Sequence, residues 1–149
     1  QGDRIMDINI NGKGMIVGRL ASFVAKQALL GHNVRVFNCE SLYFTGKKEA
    51  IVGHYQHKFY GRTKAYKGPY GNKMPDRFFR RVVKGMLPHG GKEKSRGRVA
   101  LSKVSCFLGI PEKFKNDPLT PTEACAITKS QAPSVLTVAE LMKNLGAKA

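Results

Sequence analysis

The chain has 149 residues, 42% of them hydrophobic, and carries 26 Lys and Arg against 10 Asp and Glu, a net charge of +16. That length holds one domain with a sizeable core, and that apolar content excludes wholesale disorder. No apolar run approaches the roughly 18 residues of a membrane span. The opening Gln1-Gly2-Asp3-Arg4 lacks the pattern of a signal peptide, and three cysteines without C-x-x-C spacing fit free thiols in a reducing compartment, so a cytoplasmic protein is expected.

In chain order, Ile5 to Ile10 alternates loosely and ends in the turn signal Asn11-Gly12-Lys13-Gly14, which predicts a first strand. Val17, Leu20, Ala21, Val24 and Ala28 then share one helical stripe, predicting a helix from about 15 to 30 that stops at Gly31. Residues 33–38 and 42–45 read as a second and third strand. A helix starts near Lys47 and runs to Tyr55 or beyond. From 58 to 73, glycines, tyrosines and lysines follow no period, which predicts a long basic loop. Pro75 suits the first turn of a helix ending near Leu87-Pro88. A second basic loop, 89–95, leads to a short helix near 96–103 and a fourth strand, 104–108. The Pro-, Thr- and Ala-rich stretch 115–134 is expected at the surface. Thr137 and Glu140 form a capping box, with Leu136 and Leu141 as its hydrophobic staple, for a last small helix. Alternating strands and helices imply an α/β sandwich around a mainly parallel sheet. Residues 1–114 are expected to form a single α/β domain, and 115–149 a C-terminal surface extension.

Charge is concentrated in the middle of this order. Residues 47–103 hold sixteen Lys or Arg against Glu49, Asp76 and Glu93, so thirteen of the sixteen net charges sit there. Such a block, interleaved with aromatic rings and glycines, suits a polyphosphate backbone and points to nucleic acid. Within the helix at 75–87, Phe78, Phe79, Val82, Val83 and Met86 form an apolar stripe. Arg77, Arg80, Arg81 and Lys84 form a basic stripe beside it. A solvated surface is the plainer reading of a charge run, but Asp76 is the only acid close by, and arginine forks engage phosphate oxygens bidentately. Lys58, Arg62, Lys64, Lys67 and Lys73 in the first loop, and Lys92, Lys94, Arg96 and Arg98 in the second cluster, complete the candidate contacts. The rings of the first loop could stack on bases or, as with Tyr55 and Phe59, turn into the core.

Other patterns carry less. Gly12, Gly14 and Gly18 have neither dinucleotide-fingerprint nor P-loop spacing, so a turn with close helix–sheet packing accounts for them better than a nucleotide site. His32, His54, His57 and His89 do not combine with the cysteines at zinc-site spacing, and Cys39 and Cys106 read as core residues. No catalytic triad or carboxylate pair can be assembled, so neither an enzyme nor a cofactor is expected. A free RNA-binding regulator and an enzyme acting at the Gly12–Gly18 turn remain the competing readings.

Three stretches resemble the universal large-subunit ribosomal protein family L-thirteen. They are Gly18-Arg-Leu-Ala-Ser22 with Val24-Ala-Lys26, Thr45-Gly46-Lys47, and Pro75-Asp-Arg-Phe-Phe-Arg-Arg-Val-Val-Lys-Gly-Met-Leu-Pro88. Arg96-Gly97 and Gly109-Ile-Pro111 fall where that family has similar residues, and the likeness covers about residues 4–114. Asp76-Arg77 and the segment Leu136-Thr-Val-Ala-Glu-Leu look like its archaeal branch, with eukaryotic versions next. The resemblance implies a three-layer α/β/α fold around a four-stranded sheet. It also implies a structural component that binds and organises large-subunit ribosomal RNA beside neighbouring ribosomal proteins, with no membrane and no small-molecule substrate.

Overall fold

A computed structural model describes residues 5–61, 71–127 and 135–147. Among these, β1 (Asp7–Asn11), β2 (Asn33–Phe37) and β4 (Val104–Cys106) form a parallel sheet in the order β1-β2-β4. The register sets Ile8 beside Val34 and Ile10 beside Val36, with Val36 beside Cys106 on the other side. Side chains alternate across a strand, so Ile8, Ile10, Val34, Val36 and Val104 all enter one core.

That core is closed by α1 (Val17–Leu29), α3 (Pro75–Met86) and α4 (Lys94–Ser102), which pack on one another. The stripe Val17, Leu20, Ala21, Val24 and Ala28 is buried as its spacing requires. Gly31, at φ +100°, ends α1 in the left-handed conformation that side chains resist. Buried Phe78, Phe79 and Val83 make the inner face of α3. Met86, assigned to that stripe from its spacing, is 43% exposed, because the helix ends there and Leu87 takes the buried position instead.

The opposite face of the sheet is polar and aromatic. Arg35 donates to Asp7 at 2.8 Å and to Asn9 Oδ1 at 3.4 Å, and its guanidinium lies 4.9 Å from the Phe114 ring centroid. Hydrogen bonds from Asn33 and Arg35 hold the Asp7 carboxyl below its usual pKa, so this pair adds stability above the ordinary carboxylate range and loses it as pH falls through the lowered value. Phe37 stacks with Phe107 and lies against Phe114.

Residues 117–127 lie against the same unit. Thr120 N–H donates to Asn9 O, Ile16 N–H to Cys125 O and Ile127 N–H to Gly14 O, with Thr122 and Cys125 buried.

Among the described residues the parallel sheet has three strands, where four are expected. β3 (Tyr43–Thr45) pairs instead with β5 (Val135–Thr137), antiparallel, with Phe44 opposite Leu136. A parallel bridge from Ile16 to Tyr43, the rings Tyr55 and Phe78 against Phe44, and the burial of Leu136 in the core tie this pair to the rest. Leu136 had been read only as a staple. It is that and a strand residue too, since Thr137 ends β5 and caps α5 (Val138–Asn144), its hydroxyl accepting from Glu140 N–H at 3.1 Å. The first basic loop begins later than expected, because α2 (Lys48–Tyr60) includes Lys58 to Tyr60. The second is largely helical, with a 3-10 turn at Gly91–Glu93 running straight into α4.

Gly97 sits where α4 crosses the chain after α3. A Cβ there would lie 1.8 Å from the Pro88 carbonyl oxygen. Gly97→Ala should therefore lower stability by about 1–3 kcal/mol, although alanine favours helix by about 1 kcal/mol. Urea unfolding of the two proteins checks it, and an unchanged midpoint would mean that the contact yields freely.

Candidate nucleic-acid interface

The basic stripe of α3 is positioned by what lies behind it. Successive residues advance about 100° around a helix, so burying Phe78, Phe79 and Val83 leaves Arg77, Arg80, Arg81 and Lys84 exposed on the outer flank. The ion pairs among the described residues are Arg35–Asp7 and Lys115–Glu112, neither of which involves α3. Among the described residues no carboxylate pairs with these four exposed cations. Arg80 is partly tethered, since one guanidinium nitrogen donates to Leu101 O at 3.2 Å, at the C-terminal end of α4. That bond uses one of five N–H donors and directs the fork outward.

Lys92, Lys94, Arg96 and Arg98 are exposed on the 3-10 turn and α4. They adjoin the same helical layer, because α4 packs on both α1 and α3. Lys58 is exposed on α2, 5.9 Å from the Tyr55 ring centroid. Lys73 is only half-exposed and lies 5.0 Å from the Tyr60 ring, so a cation–π contact already engages it. Arg62, Lys64 and Lys67 lie outside the described residues, as do Tyr66 and Tyr70.

Tyr55 and Phe59 of α2 turn inward, while Tyr60 is 57% exposed. Tyr55 packs edge-on to Phe78 and tilted against Phe44, and burial pushes its phenol pKa up. Phe59 is half-buried against the core. Tyr60 O–H donates to Leu145 O at 2.6 Å. One further cation, Lys103, has an internal role that its position in the sequence did not signal: its ammonium donates to Gly31 O at 2.8 Å, capping α1.

The remaining candidates resolve simply. A Cβ on Gly12 would meet Phe37 O at 2.9 Å, and Gly14 has φ +79°, so close packing and a turn explain both. Gly18 is exposed with open space around it, and packing does not account for it. Cys39 is buried, with its thiol pKa pushed well up by hydrogen bonding to Cys106 and by burial. No group of three His, Cys, Asp or Glu among the described residues could hold a metal ion. None of the helices there is long and apolar enough to cross a membrane.

These features define a basic α/β protein that presents an array of unneutralised cations on a helical face. The chain belongs to the ribosomal protein L13 family, whose model matches residues 6–113. It is 37% identical over 138 residues to the large ribosomal subunit protein uL13 of Archaeoglobus fulgidus, covering 92% of this chain and 86% of that one. It is 38% identical over 146 residues to the uL13 protein of Methanococcus maripaludis, covering 93% and 97%. For that of Methanococcoides burtonii the identity is 32%, over 93% and 97%. The resemblance to the archaeal branch is therefore sound, and the protein is a structural ribosomal protein and not an enzyme.

Adjacent residues on α3 should respond differently to truncation. Phe79→Ala opens a cavity at a fully buried position and should cost about 3–5 kcal/mol. Arg80→Ala removes one exposed hydrogen bond and should cost about 1 kcal/mol. Chemical denaturation of both variants tests this, and equal losses would show that the two faces of α3 are not distinct.

Proposed function

We propose that this protein binds large-subunit ribosomal RNA and helps to organise it in the large ribosomal subunit of the cytoplasm, during assembly and in translation. Membership of the family supports the ribosomal setting. The observation that carries RNA contact is the exposed stripe Arg77, Arg80, Arg81 and Lys84, which makes no ion pair among the described residues, on a helix whose other face is locked into the core. Cations held this way lose little conformational freedom on meeting phosphates, and the release of counterions drives association.

Lys92, Lys94, Arg96 and Arg98 extend the contact surface along α4. Lys58 and Lys73 extend it along α2 and the chain leading into α3, and Arg62, Lys64 and Lys67 between them belong to the same interface. Residues 1–114 act as the RNA-carrying α/β unit, with 115–149 as its C-terminal extension. Neighbouring large-subunit proteins are the remaining partners. No membrane or small-molecule substrate enters this reading.

Purified protein titrated into large-subunit ribosomal RNA should show affinity falling by roughly 10³–10⁵ between 50 and 200 mM salt if about six to ten phosphates are neutralised. Arg80→Ala should reduce the slope of that dependence by roughly one. A nearly salt-independent affinity would remove phosphate contact as the basis of binding.

A further inference from the structure

A shallow groove of about 350 Å³ lies between the C-terminal half of α1, the end of α3 and the start of α4. It follows from local features of the sequence. Along α1, Ser22, Ala25, Lys26 and Leu29 share a stripe at i, i+3, i+4 and i+7 beside the buried one. The small side chains at 22 and 25 leave a depression in that stripe. Met86 is the last residue of α3, and its side chain lines the depression, as does Arg96 from the first turn of α4.

Apart from two cations, this lining is apolar in effect. Leu30 is 53% exposed and Met86 43%, and covering apolar surface of that kind is favourable. The one hydroxyl, on Ser22, already donates to Arg19 O at 2.8 Å and asks nothing of an occupant. Lys26 and Arg96 come from different helices, are both exposed, and join no ion pair among the described residues. No acid is among the lining residues. The complementary occupant has an apolar body with negative charge attached to it.

We propose that this groove takes the base of one unstacked nucleotide of the bound RNA, with the phosphates flanking it held by Lys26 and Arg96. A base has flat apolar faces, and the strand's own covalent structure places a phosphate on either side of it. Bases splayed out of single-stranded RNA are packed against protein side chains in this manner. An acidic, leucine-rich peptide meets the same description in part. The excess of thirteen positive charges over residues 47–103, to which Arg96 belongs, favours the polyphosphate. Contact with a base face is indifferent to which base it is, so no base preference is expected. The inference rests on the RNA-binding reading above and adds to it Lys26, Leu30 and Met86, none of them in the basic stripe of α3.

The test uses the full chain and two five-residue ribose–phosphate strands, one without bases and one with a single central adenine, measured by fluorescence anisotropy. The strand with the base should bind roughly fivefold tighter, the lower end of what stacking one base contributes. The double variant Leu30→Ser with Met86→Ser should bring that ratio to about one and leave the slope of affinity against salt unchanged. Lys26→Ala should weaken both strands alike and lower that slope by roughly one. Thermal melts check that each variant is folded. If the double variant is not, Leu30→Ser alone should bring the ratio to about twofold or below.

Equal binding of the two strands, with steep salt dependence, would overturn the base-binding groove and leave the RNA reading standing. So would a preference for the base that survives unchanged in the serine variants, since the base would then sit elsewhere. Binding of ribosomal RNA but of neither short strand would also count against the groove alone. Failure to bind ribosomal RNA or either strand would overturn both readings. Binding of a glutamate- and leucine-rich peptide that is lost in Leu30→Ser, with equal binding of the two strands, would make the groove a protein contact and overturn the proposal as well.

Discussion

The burial of one face of α3 against α1 and the sheet is the contact on which the rest of the molecule depends. Phe79 and Val83 are completely shielded and Phe78 nearly so. A rotation of the helix by a single residue position, about 100°, would expose these side chains and push a guanidinium into the core. Burying an unpaired charge costs several kcal/mol, so both sides of the helix resist the same movement. The orientation of the basic stripe is thus fixed by the apolar one. A cationic surface built in this way is set by the core and not by a loop.

The folded state carries its positive charge with little internal relief. Two of the cations in the central block nevertheless stabilise the fold directly. Lys103 donates to Gly31 O just beyond α1, and Arg80 to Leu101 O in the last turn of α4. Helix C-termini present unsatisfied carbonyls and a partial negative charge, and a cation there is favourable. Both tethers lie near the start of β4, where α1, α4 and the sheet converge. Cations therefore stand at the ends of two helices, and Arg80 keeps further donors of its fork beyond that bond.

Features carried by local periodicity were readable from the residues alone. The stripes of α1 and α3, the stop at Gly31 and the cap at Thr137 each arise from residues within two or three turns of one another. What escaped the sequence depended on contacts distant in the chain. β3 is three residues long and pairs with a strand some ninety positions later, Tyr43 opposite Thr137, and no local pattern announces such a partner. Met86 had the right spacing for the core but stood at the helix end, where Leu87 displaces it. In the candidate interface, charge density picks out cations that are exposed on α3 and α4. The tether on Arg80, the ring over Lys73 and the cap formed by Lys103 could not be read from it, because each depends on a carbonyl or ring from another element.

The aromatic side chains of α2 show how far the short C-terminal elements reach into the basic surface. No residue of α2 is fully buried. It is held along one edge by Ile51, Val52, Tyr55 and Phe59 and at its end by the bond from Tyr60 to Leu145 O. Leu145 is itself fixed by α5, whose first turn is closed by Thr137, the last residue of β5. Tyr55 meanwhile rests on Phe44 in β3, the partner strand of β5. The bond to Leu145 O and the contact with Phe44 therefore run through the β3–β5 pair and the helix that follows it, while Tyr55 also rests on Phe78 of α3. Loss of the Thr137 cap, typically worth about 1 kcal/mol, would act far from any charge, yet it would loosen the helix that carries Lys58 and the ring that holds Lys73.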